Sequence, residues 1–113
     1  MSGQPGHDPD AVQSMDRAWA ESIVAAAIRE TMQALESADR AAAWRAFRRH
    51  FVEGVAYTAL SQETGASVRE LKAQVKLVQR WLRAGIERAL QQDGVAAEAI
   101  EAETDRLVAM LLG

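Results

Sequence analysis

The stretch LSQETGASVRELKAQVKL, Leu60–Leu77, starts as a short polar helix, breaks at Gly65 and restarts behind Ser67 as a longer helix carrying basic residues. Gly65 can take the left-handed conformation that a sharp turn between two helices needs. Ser67 and Glu70 then form the pattern S-x-x-E, in which hydroxyl and carboxylate each satisfy a free backbone N–H of the new helix, so Ser67 is read as its N-cap. Two helices and a bend can be a DNA-reading helix-turn-helix or only a packing corner. The charge distribution of the second helix separates these readings.

On a wheel of about 100° per residue, Val68, Leu71, Val75, Val78, Leu82, Ile86 and Ala89 gather on one side. Arg69, Lys72, Lys76, Arg80 and Arg83 fall in an arc of roughly 80° that faces away from that side, with Glu87 as its only acid. A solvated helix face usually mixes signs in i,i+4 pairs, whereas a run of one sign matches the footprint of phosphate binding. The simple alternative is a solvated face, because Lys and Arg form helices well and their stems shield apolar surface. Glu70, at the start of the helix, could accept from a cytosine amino group, but the capping box already accounts for it. Leu77, Trp81 and Ala84 lie on a third face and need cover, from helix five, from helix one or from another protein.

Outward from this pair, the pattern predicts an all-α domain of five helices. Residues 1–13 hold both prolines and almost no apolar side chain, and read as a disordered tail or linker before a domain spanning 14–113. Helix one is expected from about Asp16 to Leu35, capped by Ser14 or Asp16, with Ile23, Val24, Ala27, Ile28 and Leu35 on its inner face. Helix two is expected from about Asp39 to Val52, with Ala43, Trp44, Phe47 and Phe51 as its buried stripe and Gly54 as its stop. Helix three runs from about Ala56 to Glu63, helix four from Ser67 to about Gln91 before Asp93-Gly94, and helix five from about Val95 to Leu112. Alanine supplies 23 of the 113 residues, so helices can approach closely, and Trp19, Trp44, Phe47, Phe51 and Trp81 are expected to dominate the packing.

The net charge of −3 argues against a polyanionic partner until it is divided along the chain. Residues 1–39 carry two basic and seven acidic groups, residues 40–88 ten and four, and residues 89–113 one and five. The basic block therefore coincides with the bihelical stretch. Cysteine is absent, the longest apolar run is Ile23 to Ile28, and no signal-peptide pattern opens the chain, which together read as a cytoplasmic protein without a membrane partner. Without cysteine or a phosphate loop, and with His50 lacking a spaced partner, an enzyme, a metal site and a cofactor are all unexpected.

At these residues the sequence resembles region 4 of bacterial sigma factors of the extracytoplasmic-function group. MDRAWA (Met15 to Ala20) resembles the opening of that region, WRAFRRHF its second helix, YTALSQETGASVRELKAQVKLVQRWLRAGI its helix-turn-helix, and GVAAEAIEAETDRLVAMLL its closing helix, over roughly residues 15–112. The resemblance implies binding of double-stranded promoter DNA at a −35-type element and docking on the beta flap of RNA polymerase core, with an anti-sigma factor as a further possible partner. Carried over by position, Ser67, Arg69, Lys72, Gln74, Lys76 and Arg80 would face DNA, joined by Arg83 from the arc, while Leu77 and Trp81 are the candidate partner-binding residues. Thr64, Ala66, Gln74, Leu77 and Gln79 depart from the family's residue types. Region 2, which melts promoters in that family, finds no room here, so the chain reads either as a piece of a longer sigma factor or as a free-standing regulator. The competing reading is a sigma-like protein-interaction module, binding polymerase, an anti-sigma factor or itself, with little DNA affinity.

Overall fold

The computed structural model describes residues 9–112, with side chains from residue 16 onward. The chain folds as α1 (Pro9–Ser37), α2 (Ala41–Phe47), a π-helical turn (Arg48–Val52), α3 (Tyr57–Thr64), α4 (Val68–Gln92) and α5 (Ala97–Leu112). Among the described residues there is no strand. The expected all-helical, five-helix architecture is therefore observed. Helix α1 starts earlier than the expected caps at Ser14 or Asp16, because Pro9 needs no N–H in a first turn and its fixed φ suits a helix start. Residues 9–13 of the expected tail thus belong to α1, while residues 1–8 lie outside the described residues.

Two helix ends close in the same way. At the end of α1, Arg40 N–H reaches Leu35 O at 2.7 Å and Asp39 N–H reaches Glu36 O at 3.1 Å, with Asp39 at φ 60°. At the end of α4, Val95 N–H reaches Leu90 O at 3.0 Å and Gly94 N–H reaches Gln91 O at 3.1 Å. Both are Schellman closures, which satisfy the last carbonyls and turn the chain sharply. After α4 this reversal sends α5 back along it.

Helix α4 is the axis of the molecule. Helix α1 runs antiparallel to it, as shown by Trp19 Nε1 donating to Asp93 at 2.6 Å, Arg88 paired with Glu30 at 2.7 Å and Thr31 Oγ1 donating to Trp81 O at 3.4 Å. The two helices approach closely at Gly85, where a Cβ would stand 3.3 Å from Thr31 Oγ1 and 3.4 Å from Ala27 Cβ. Two hydrophobic clusters succeed each other along α4. Ile86, Ala89 and Leu90 pack with Ile23, Val24 and Ala27 of α1 and with Ile100 and Leu107 of α5. Leu71, Val75, Val78 and Leu82 pack with Leu35, with Ala43, Ala46 and Phe47 of α2, and with Leu60 of α3. Ile28 and Leu111 touch both clusters. This serial arrangement contributes to the 65 × 26 × 20 Å outline.

The aromatic anchors behave differently from expectation. Of the five, only Phe47 is buried; Trp19, Trp44 and Trp81 are half-buried and Phe51 is 38% exposed. Alanine-lined interfaces leave little room for an indole, so Leu, Ile and Val fill the interior while the tryptophans seal its edges. Phe51 is displaced for a separate reason. The π-helical turn, closed by Glu53 N–H on Arg48 O at 3.1 Å, puts more residues into one turn and rotates its last residues off the stripe. Val52, next to Phe51, is 74% exposed.

Candidate nucleic-acid interface

The α3–α4 corner is held by its own short polar side chains. Gly65, at φ 79°, gives its N–H to Ser61 O at 2.9 Å. Ser61 Oγ donates to Ala66 O at 2.7 Å, and Thr64 Oγ1 donates to Leu60 O at 2.8 Å while accepting from Ala66 N–H at 3.2 Å. Thr64 thus makes two hydrogen bonds within the turn. Hydroxyls flanking a glycine are a turn signal that Ser61 and Thr64 already carry in the sequence. Ser67 then caps α4: its Oγ accepts from Glu70 N–H at 3.0 Å, and Glu70 Oε1 accepts from Ser67 N–H at 3.4 Å. The expected capping box is present, and the Glu70 carboxylate is occupied by it.

With the start of α4 fixed, its outer face is set by helix geometry. Arg69, Lys72, Lys76 and Arg80 are all exposed. None of the four enters an ion pair among the described residues. The Lys72 ammonium stands 5.8 Å from the centre of the Tyr57 ring, close enough for cation–π attraction. Tyr57 in turn stacks on His50 with centroids 3.9 Å apart, and His50 Nδ1 lies 2.9 Å from Val55 O. Burial raises the Tyr57 pKa, so its phenol stays neutral beneath the ammonium.

Arg83 differs from the other four. Its Nη2 donates to Asp105 Oδ1 at 2.6 Å and its Nε lies 3.6 Å from Glu87. The hydrogen bond to Asp105 raises the Arg83 pKa, with the charges of Asp105, Glu87 and Glu101 acting in the same direction against partial desolvation. Arg49 Nη2 donates to both carboxylate oxygens of Glu63, at 2.7 and 2.6 Å, and its Nη1 donates to Glu53 at 3.2 Å. It ties the π-helical turn to α3.

Gln74 stands apart from the arc. Two residues beyond Lys72 is a rotation of about 200°, which takes Gln74 to the far side of α4. There it is half-buried and lines a cavity of about 390 Å³ with Arg45, Arg49, Glu63, Leu60 and Leu71. The wheel that placed the arc also places Gln74 off it; position in a family pattern does not. Leu77 and Trp81 are half-buried against the second cluster, and Trp81 borders a cavity of about 220 Å³ with Thr31, Ala34, Ala84 and Arg88. Helix α1 therefore supplies part of the cover that this third face needs. On the opposite flank, Val108 and Leu112 of α5 lie beside Lys76, Gln79, Arg80 and Arg83 around a cavity of about 330 Å³.

Chemically, this surface offers four unopposed cations in register on a rigid, capped helix, a geometry suited to a regular row of anions. Among the described residues no helix is long and apolar enough to cross a membrane, and no three His, Asp or Glu side chains converge to hold a metal ion. No family model, curated protein or solved structure matches the chain.

Proposed function

We propose that this chain is a DNA-binding domain of transcription initiation or its regulation, similar to sigma region 4. In this reading α3, the Gly65 corner and α4 act as a helix-turn-helix, α4 enters the major groove of a −35-type promoter element, and the domain docks on RNA polymerase core in the cytoplasm. The observation that carries the proposal is the exposed row Arg69, Lys72, Lys76 and Arg80, which among the described residues forms no ion pair. Arg69 and Lys72, nearest the capped start, are the base readers; Lys76 and Arg80 hold phosphates.

Two phosphate contacts, at Lys76 and Arg80, give a log–log salt slope of about −1.8, at about −0.9 per contact, and Lys76→Ala should flatten it by about one unit while weakening specific and scrambled duplexes alike. Arg69→Ala should narrow the gap between specific and scrambled duplexes by about 1–3 kcal/mol if its contact is bidentate to guanine. A slope near zero, or affinities unchanged by Lys76→Ala and Arg80→Ala together, overturns the proposal.

A second reading, a protein-interaction module for polymerase, an anti-sigma factor or another copy, is favoured by the exposed Phe51 and Val52. Retained capture by the polymerase flap together with a flat salt slope would decide for it.

A further inference from the structure

The arc is uniform in sequence but divided in the structure, and α5 divides it. Around Arg83 stand three carboxylates, Glu87, Glu101 and Asp105, all of which act on its charge. The pairs at 2.6 Å to Asp105 and 3.6 Å to Glu87 engage Nη2 and Nε of the guanidinium. Val108 and Leu112 continue the same α5 flank past Arg80 to Lys76, where the cavity they line is mostly apolar. Helix α5 therefore borders the arc from Arg83 to Lys76 but presents acid only at the Arg83 end. A phosphate approaching Lys76 or Arg80 meets an unpaired cation, whereas one approaching Arg83 meets a site with excess negative charge.

We infer that Asp105 of α5, backed by Glu101 and Glu87, ends the phosphate-binding track of α4 at Arg80 by withholding Arg83 from it, so that α5 limits sequence-independent affinity for duplex DNA. The inference rests on the DNA-binding reading of the arc. An exposed ion pair is weak in itself, so the limit comes chiefly from the carboxylate remaining beside the guanidinium and repelling an incoming phosphate. Its consequence is selectivity. A cation removed from the backbone contacts lowers affinity for every sequence equally, which leaves base contacts near the capped end a larger share of the total.

The test is salt-titrated binding of a scrambled duplex to the full chain and to five variants. Asp105→Asn should steepen the log–log slope by about 0.9 and tighten binding about five- to tenfold at about 0.1 M salt, the gain expected of one added phosphate contact. Glu98→Gln makes the same change in net charge in the first turn of α5 without belonging to the Arg83 cluster, and should change affinity less than about twofold, being screened over distance. Arg83→Ala alone should leave the wild-type slope unchanged, and combined with Asp105→Asn it should abolish the gain. Lys76→Ala in the wild type reports on the DNA-binding reading itself. If Lys76→Ala flattens the slope while Asp105→Asn behaves like Glu98→Gln, or if Arg83→Ala alone flattens the slope by about one unit, the inference falls and the reading stands. If neither the wild type nor Asp105→Asn shows a salt slope, both fall.

Discussion

Replacing Gly85 tests the close packing of α1 against α4. Glycine inside a helix costs about 0.8–1.0 kcal/mol relative to alanine, so its presence in the 25-residue α4 calls for a compensating contact. That contact is with Ala27 and Thr31: a Cβ at position 85 would meet Thr31 Oγ1 at 3.3 Å and the Ala27 Cβ and carbonyl oxygen at 3.4 Å each. In Gly85→Ala the gain in helix propensity and this slight crowding oppose each other, and stability should change by less than about 1 kcal/mol. Gly85→Val carries two further methyl groups into the α1 backbone. Overpacking of that kind costs about 1–3 kcal/mol, and a β-branched residue recovers little helix propensity, so valine should fall about 2 kcal/mol below alanine. Urea unfolding monitored by circular dichroism gives the comparison, and with a slope of about 2 kcal/mol/M the two midpoints should differ by about 1 M at unchanged slope. Equal midpoints for the alanine and valine variants would mean that α1 does not lie against α4 at this point.

Asp39 holds φ 60° at the end of α1, where glycine carries no Cβ penalty, so Asp39→Gly should raise unfolding stability by about 0.5–1 kcal/mol; a loss would show that the carboxylate has a stabilising partner. Thr104 Oγ1 is buried without a hydrogen-bond partner among the described residues, and Thr104→Val, which keeps the shape and removes the hydroxyl, should stabilise the fold by about 1 kcal/mol in the same assay. Leu82, 2% exposed in the second cluster, should cost about 2–5 kcal/mol when truncated to alanine; a cost below about 0.5 kcal/mol, that of a surface site, would remove it from the core.

Features set by neighbours in sequence were legible before the structure. The Ser67–Glu70 box, the reversal at Gly65 and the separation of Arg69 through Arg80 from Leu71 through Leu82 depend on spacings of a few residues along one helix. Features set by distant partners were not. The π-helical turn is tied to α3 by Arg49 and Glu63, 14 residues apart, and nothing within WRAFRRHF announces it. Arg83 is indistinguishable from Arg80 on a wheel and acquires its different role from Asp105, 22 residues further on. The area an indole can bury favours the tryptophans as anchors, but the closeness of alanine-lined helices decides where an indole fits.

Because a single unbroken α4 runs through both hydrophobic clusters, neither cluster can melt while the other keeps its share of that helix intact. The amide protons of Val75 and Ile86, buried in different clusters, should then exchange with solvent through the same global opening rather than through two separate ones. A ligand that orders the first half of α4 would slow exchange in its second half as well, several helical turns from any atom it touches.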